Sequence, residues 1–253
     1  MTPTPTDAAL SKVPAITLGF WIIKVLATTL GETGADVFTQ QYAMGYLAGI
    51  ALFAVPLVVL VVLQIHARRF HPSLYWGTIL ASTTAGTALA DFFDRNLGIG
   101  YAGSSAALVG CVAASLAAWR YTTGTVSVAS VATAKAEAFY WLTITFSQTL
   151  GTALGDWAAD DGGLGYLGGA AVFGGALALV ALLYWRTDIS RVALFWAAFI
   201  LTRPLGATVG DFLDKPMAQG GLGFARDLAT GILLVTIGAL LLIIPQRPAS
   251  AAH

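Results

Sequence analysis

The sequence predicts an all-α membrane protein: eight transmembrane helices arranged as four parallel-repeat helical hairpins, built by a two-level duplication, with the odd helices inside. Three observations predict it. The 253 residues are 57% hydrophobic and 10% charged, with a mean hydropathy of +0.76, too few charges to cover a soluble globule of this size. Long apolar runs recur at the ~20-residue length that crosses a bilayer. Finally, a tryptophan is followed ten residues later by glycine and fifteen later by aspartate in four places: Trp21…Gly31…Asp36, Trp76…Gly86…Asp91, Trp141…Gly151…Asp156 and Trp196…Gly206…Asp211. The tryptophans are spaced 55, 65 and 55 residues apart, so copies one and three, and copies two and four, each stand 120 apart. That is the mark of a unit duplicated twice.

Residues 1–16 are rich in Pro and Thr and are expected to be a disordered tail. The apolar stretch after them carries the first repeat and lacks a small-residue cleavage site after a short core, so it is expected as a retained helix rather than a signal peptide. The spans fall at about 17–38, 44–66, 74–94, 101–120, 137–158, 164–185, 191–213 and 224–245. They make one transmembrane domain over 17–245, with repeats at about 17–66, 74–120, 137–185 and 191–245, followed by a C-terminal tail over 246–253. Each repeat holds two spans, so all four copies enter the membrane in the same direction, which makes the repeats parallel rather than inverted.

Charge orients the bundle. The N-terminal tail, the connections after the second, fourth and sixth spans, and the C-terminus hold Lys12, Arg68, Arg69, Arg120, Lys135, Arg186, Arg191 and Arg247 against Asp7, Glu137 and Asp188. The positive-inside rule makes these segments cytoplasmic, as expected of a multi-pass protein of the bacterial inner (plasma) membrane. The opposite turns, counted with the repeat aspartates, are acidic apart from Arg95, Lys215 and Arg226. Asp94, Asp160, Asp161, Asp214 and Asp227 read there as solvated turn residues, and the four tryptophans as interfacial belt residues. The even helices contain no Asp, Glu, Lys or Arg over 37–67, 96–119, 162–185 and 228–246. Charges, hydroxyls and closely spaced small residues belong to the odd helices, which favours close backbone approach inside the bundle.

Positions 3, 7, 11 and 15 after each tryptophan share one helix face. They read Lys24, Thr28, Glu32, Asp36; then Ile79, Thr83, Thr87, Asp91; then Ile144, Gln148, Thr152, Asp156; then Phe199, Arg203, Ala207, Asp211. The aspartates alone are also explained as caps of the following helix. Lys24, Glu32 and Arg203 are not so explained, because each lies more than a turn inside its span, where a charged side chain costs ~3 kcal/mol and needs a partner or water. No histidine, cysteine or methionine joins the stripe: His66 and His71 sit at the cytoplasmic ends, and Cys111 reads as a packing residue. Haem and soft-metal chemistry are therefore disfavoured, whereas carboxylate and hydroxyl oxygens suit hard cations or protons.

The runs KVLATTLGETGAD (24–36), FYWLTITFSQTLGTALGDWAADDGGLGY (139–166) and FILTRPLGATVGDFLDKPMAQGGLGF (199–224) resemble a bacterial family of multi-spanning inner-membrane proteins labelled uncharacterised or membrane-anchored. The resemblance covers nearly the whole chain beyond the tail and implies no particular substrate. GETGAD is also similar to the acidic-glycine-acidic motifs of cation/proton exchangers of the manganese and calcium type.

The function expected from these residues is secondary transport or export of a hard divalent cation, Mn²⁺ first, coupled to protons. Glu32 and Asp36 are the expected primary ligands, with Thr28, Thr87 and Thr152 at mid-depth and Asp91, Asp156 and Asp211 near the outer vestibule. Lys24 and Arg203 are the expected counter-charges. A non-transporting scaffold locked by buried ion pairs, and a passive channel with an acidic mouth, stay open as alternatives. No nucleophile–base pair, phosphate loop or cofactor signature is present, so no enzyme, cofactor or nucleic-acid partner is expected. The expected partners are the cation, protons and the lipid bilayer, with a homo-oligomer left open.

Overall fold

The computed structural model describes residues 11–249. Among them are eight α-helices and no β-strand: α1 (Leu18–Asp36), α2 (Tyr46–His66), α3 (Pro72–Asp91), α4 (Tyr101–Thr123), α5 (Ala134–Asp156), α6 (Gly165–Arg186), α7 (Arg191–Asp214) and α8 (Arg226–Ile243). Five of them, α2, α4, α6, α7 and α8, are long and apolar enough to cross a membrane. The polar positions of the repeats keep α1, α3 and α5 below that hydropathy.

Local chemistry sets where the inner helices begin and end. Thr17, Thr133 and Ser190 accept the amides of Phe20, Ala136 and Ala193 at the starts of α1, α5 and α7, and Pro72 opens α3. Three inner helices end at the repeat aspartate and then widen into one turn of π-helix, over Val37–Gln41, Phe92–Asn96 and Trp157–Asp161. The chain re-enters α2 and α4 through Gly45 and Gly100, at φ +77° and +76°, a conformation that a side chain would strain.

The four inner helices close a ring in the order α1, α3, α5, α7 and back to α1. The repeated glycine explains how. A Cβ on Gly31 would strike the Thr83 side chain, one on Gly86 would strike Gln148, one on Gly151 would strike Arg203, and one on Gly206 would strike Thr28. In every case the residue seven after one tryptophan fills the notch left by the glycine ten after the previous one. The fourth copy closes on the first by the same contact, so the copies are related by rotation about one axis. The outer helices follow the same rule, with α2 packed on α3, α4 on α5, α6 on α7 and α8 on α1. Each outer helix therefore leans on the inner helix of the next repeat around the ring.

The tryptophans are not belt residues. Trp76, Trp141 and Trp196 are buried, and only Trp21 is partly exposed. An aromatic residue precedes each one (Phe20, Tyr75, Tyr140 and Phe195), and together they pave one end of the ring. The Phe20 and Phe195 rings lie 6.4 Å apart, and the Tyr75 and Tyr140 hydroxyls share a hydrogen bond of 2.6 Å. The indole N–H of Trp76 donates to Gln246, and that of Trp196 to the Val126 carbonyl.

The expected disordered tail is corrected in part. Residues 1–10 lie outside the described residues, but Ser11, Lys12 and Val13 are buried across the tryptophan end of the bundle. Lys12 N–H donates to Val131 O, Ala15 N–H to Arg247 O and Ala249 N–H to Val13 O. The Lys12 ammonium reaches Glu137 on α5 at 2.6 Å and the carbonyls of Gln64 and Ile65 at 3.2 and 3.1 Å. A single lysine thus ties the tail to two helices, because a buried ammonium needs an anion and several acceptors.

Candidate functional site

The helix stripe becomes a set of layers stacked along the ring axis. Three turns of α1, α3, α5 and α7 bring positions 3, 7, 11 and 15 of each repeat toward a common centre, and all sixteen of these residues are buried. Nearest the aromatic end, Lys24 stands among Ile79, Ile144 and Phe199, with its Nζ 4.2 Å from the centre of the Phe199 ring. Next come Thr28, Thr83, Gln148 and Arg203, then Glu32, Thr87, Thr152 and Ala207, then the four aspartates.

Arg203 crosses between layers. Its Nη2 donates to Glu32 Oε2 at 2.9 Å and to the hydroxyls of Thr87 and Thr152 at 2.5 Å each. A group rooted in the fourth repeat thereby touches the same position in the other three. The corresponding place in its own repeat is Ala207, whose methyl leaves room for the guanidinium. Thr87 also contacts the Gly31 carbonyl at 3.2 Å and Glu32 at 3.4 Å, so the pair sits in a polar shell on the axis.

The aspartate layer divides into two bridged pairs. Lys215 Nζ lies 2.9 Å from Asp36 and 3.1 Å from Asp211, and Arg95 lies 3.4 Å from both Asp91 and Asp156. Both cations stand nineteen residues after their tryptophan, one turn beyond their own aspartate, and each reaches the aspartate of the following repeat. Repeats one and three carry Gln40 and Asp160 there instead, and Gln40 Nε2 donates to Asp36 at 2.6 Å. Burial works against the Lys215 ammonium, but Asp211 and Asp36 beside it hold its pKa above the ordinary lysine value. Lys215 therefore stays charged.

These contacts bring Glu32, Asp36 and Asp211 together. One carboxylate oxygen from each lies within 4.8 Å of the others, and all three residues are buried. Such a set of hard oxygen donors could hold a divalent cation once the tethered ammonium and guanidinium make way. Asp91 and Asp156 form the second pair, across the ring under Arg95. Thr87 and Thr152 reach Arg203 rather than a carboxylate alone. Thr28 stands apart: its hydroxyl contacts the Thr202 carbonyl at 3.0 Å and that of Val25 at 2.8 Å, bracing the Gly206 notch. Lys24 is not the partner of Glu32, and its Nζ has no hydrogen-bond partner among the described residues.

The sequence reading placed Asp94 and Asp214 among solvated turn residues and left Lys215 and Arg226 in the outer turns without a role. Lys215 and Asp214 are buried, and Arg226 bonds Asp214 at 3.3 Å and approaches Asp36 at 3.8 Å. Asp94 is buried as well and accepts the Ser104 hydroxyl. The available signal was register: counting on from position 15 by one more turn reaches Gln40, Arg95, Asp160 and Lys215.

No curated protein and no solved structure shows significant similarity to the chain. The model of a Repeat of Unknown Function (DUF347) matches it four times, over residues 19–70, 74–125, 139–190 and 194–244. Each match contains one inner helix with its glycine notch, its axial stripe and the outer helix that follows. The chain belongs to the DUF347 repeat family.

Proposed function

We propose that the chain crosses the bacterial inner membrane with all eight helices, both termini cytoplasmic, and works as a secondary transporter of a hard divalent cation in exchange for protons. Large apolar side chains on the outer helices support the membrane reading, since Leu47, Val55, Val58 and Val62 on α2 and Leu228, Ile232, Val235 and Leu242 on α8 are all exposed. A contiguous apolar surface of that kind needs lipid or protein against it. The observation that carries the transport reading is the buried meeting of Glu32, Asp36 and Asp211 on the ring axis. In this state Arg203 and Lys215 act as tethered cations on those carboxylates. A substrate cation or protons would take their place, so the two occupancies compete and couple. The guanidinium across the axis argues against a permanently open pore.

Proteoliposomes test this by measuring Mn²⁺ flux with and without a proton gradient. Wild-type protein is expected to move Mn²⁺ only when the gradient is present, and Glu32→Gln to assemble but lose flux. A specific observation favours one other reading: every axial carboxylate already has a protein cation within 4.0 Å, as a locked scaffold requires. Absence of flux for Mn²⁺, Mg²⁺ and Ca²⁺ in the wild type would favour that scaffold.

A further inference from the structure

We propose that the ring holds a small monovalent anion of the halide type in the layer just inside the Arg203 guanidinium, separate from the carboxylate cluster. The evidence is a group of buried polar atoms with no partner among the described residues: Lys24 Nζ, Thr83 Oγ1, Nε2 and Oε1 of Gln148, and Nε and Nη1 of Arg203. All four side chains are fully buried.

Their places in the fold bring them to two adjacent layers, with Lys24 one turn nearer the aromatic end than the other three. Thr83 and Gln148 each precede by one turn the threonine, Thr87 or Thr152, that Arg203 bonds. Lys24 lies over Phe199, which precedes Arg203 itself by one turn. The Arg203 stem and Gln148 both rest in glycine notches, at Gly151 and Gly86, so neither can swing out without opening the ring.

Two facts select the ligand. The unpartnered atoms are mostly donors: the lysine nitrogen, two guanidinium nitrogens, an amide nitrogen and a hydroxyl, beside one amide oxygen. Glu32 alone matches Arg203 at this depth, so Lys24, opposed by burial and by the Arg203 charge, holds a proton only where a second anion joins it. The aspartates farther along the axis are engaged by Lys215 and Arg95. Water would satisfy hydrogen bonds but give a protonated Lys24 no counter-charge, whereas a small anion supplies both the acceptor and the charge. Ile79, Ile144 and Phe199 floor the layer, which keeps the interaction in a dry setting where it is strong.

The test uses the purified full chain in detergent or nanodiscs, with chloride exchanged for gluconate at constant ionic strength. Thermal stability should rise with chloride and saturate, gaining roughly 5–10 °C by 100 times the half-saturating concentration. Radiolabelled chloride should bind at one ion per chain. Lys24→Met should remain folded in gluconate and lose the chloride response, and Thr83→Val should raise the half-saturating concentration several-fold. Equal melting in the two anions, no bound chloride on the wild type, or a full chloride response in Lys24→Met would overturn the site. These readouts do not depend on cation flux, so they stand or fall separately from the transport proposal.

Discussion

Replacing Gly86 by alanine should push α3 and α5 apart, and the cost can be worked from the packing. The new Cβ would stand 2.9 Å from Gln148 Cβ, 3.0 Å from the Gln148 carbonyl carbon and 3.0 Å from the Thr149 nitrogen. Comfortable separations of such atoms are about 3.5–4.0 Å. Two of the three obstacles are backbone, so no rotamer change relieves them and the helices themselves must shift. Overpacking of this sort costs about 1–3 kcal/mol. Alanine also favours a helix over glycine by about 1 kcal/mol, which would blur the result on its own. Gly77 supplies the control: it lies on the same helix, and a Cβ there meets nothing within 4 Å. Because the helix preference is common to both, Gly86→Ala should melt below Gly77→Ala by roughly 2–12 °C, at about 2–4 °C per kcal/mol for a chain of this length. The assay is thermal unfolding followed by circular dichroism in a fixed detergent. If the two variants melt together, the ring does not close through this glycine.

Lys215→Met should destabilise by about 3–5 kcal/mol, because it leaves Asp36 and Asp211 buried without their shared cation, while Lys215→Arg should recover most of the loss; denaturant titration of both variants decides it. Lys12→Met should strand Glu137 on α5 and make the tail end of the bundle open to protease, and adding Glu137→Gln should restore resistance. Reporter fusions after Arg69, Lys135 and Arg191 should read cytoplasmic and one after Asp161 external, with the opposite pattern defeating the topology.

The ring was legible in the sequence to the extent that its parts recur at fixed spacing. Trp, Gly and Asp at intervals of ten and fifteen marked the inner helices, and the charge-free even segments marked the outer ones. What the glycine does was not legible, because its partner is the residue seven after a different tryptophan, at least 52 positions away in the case of Gly31 and Thr83. Lys24 shows the limit of helix-face reasoning: it shares the stripe with Glu32, yet two turns of rise along the axis leave it over Phe199 instead. Lys215 and Arg95 escaped for another reason. In a linear reading they fall in hydrophilic turns, and only the extra turn past each aspartate folds them back over the axis. Ser11, Lys12 and Val13 escaped because a Pro/Thr-rich composition says nothing about backbone pairing with the other end of the chain.

Arg203 has one further consequence. A ring assembled from four identical subunits would carry the same side chain at all four equivalent places, so an arginine there would bring four guanidiniums to one axis with nowhere to put them. A single axial guanidinium, received by a glutamate, two threonines and an alanine, is possible only where the four places are encoded separately. Joining the repeats in one polypeptide thus does more than hold them together: it allows the centre of a rotationally regular assembly to have a direction, with one wall that gives a charge and three that receive it.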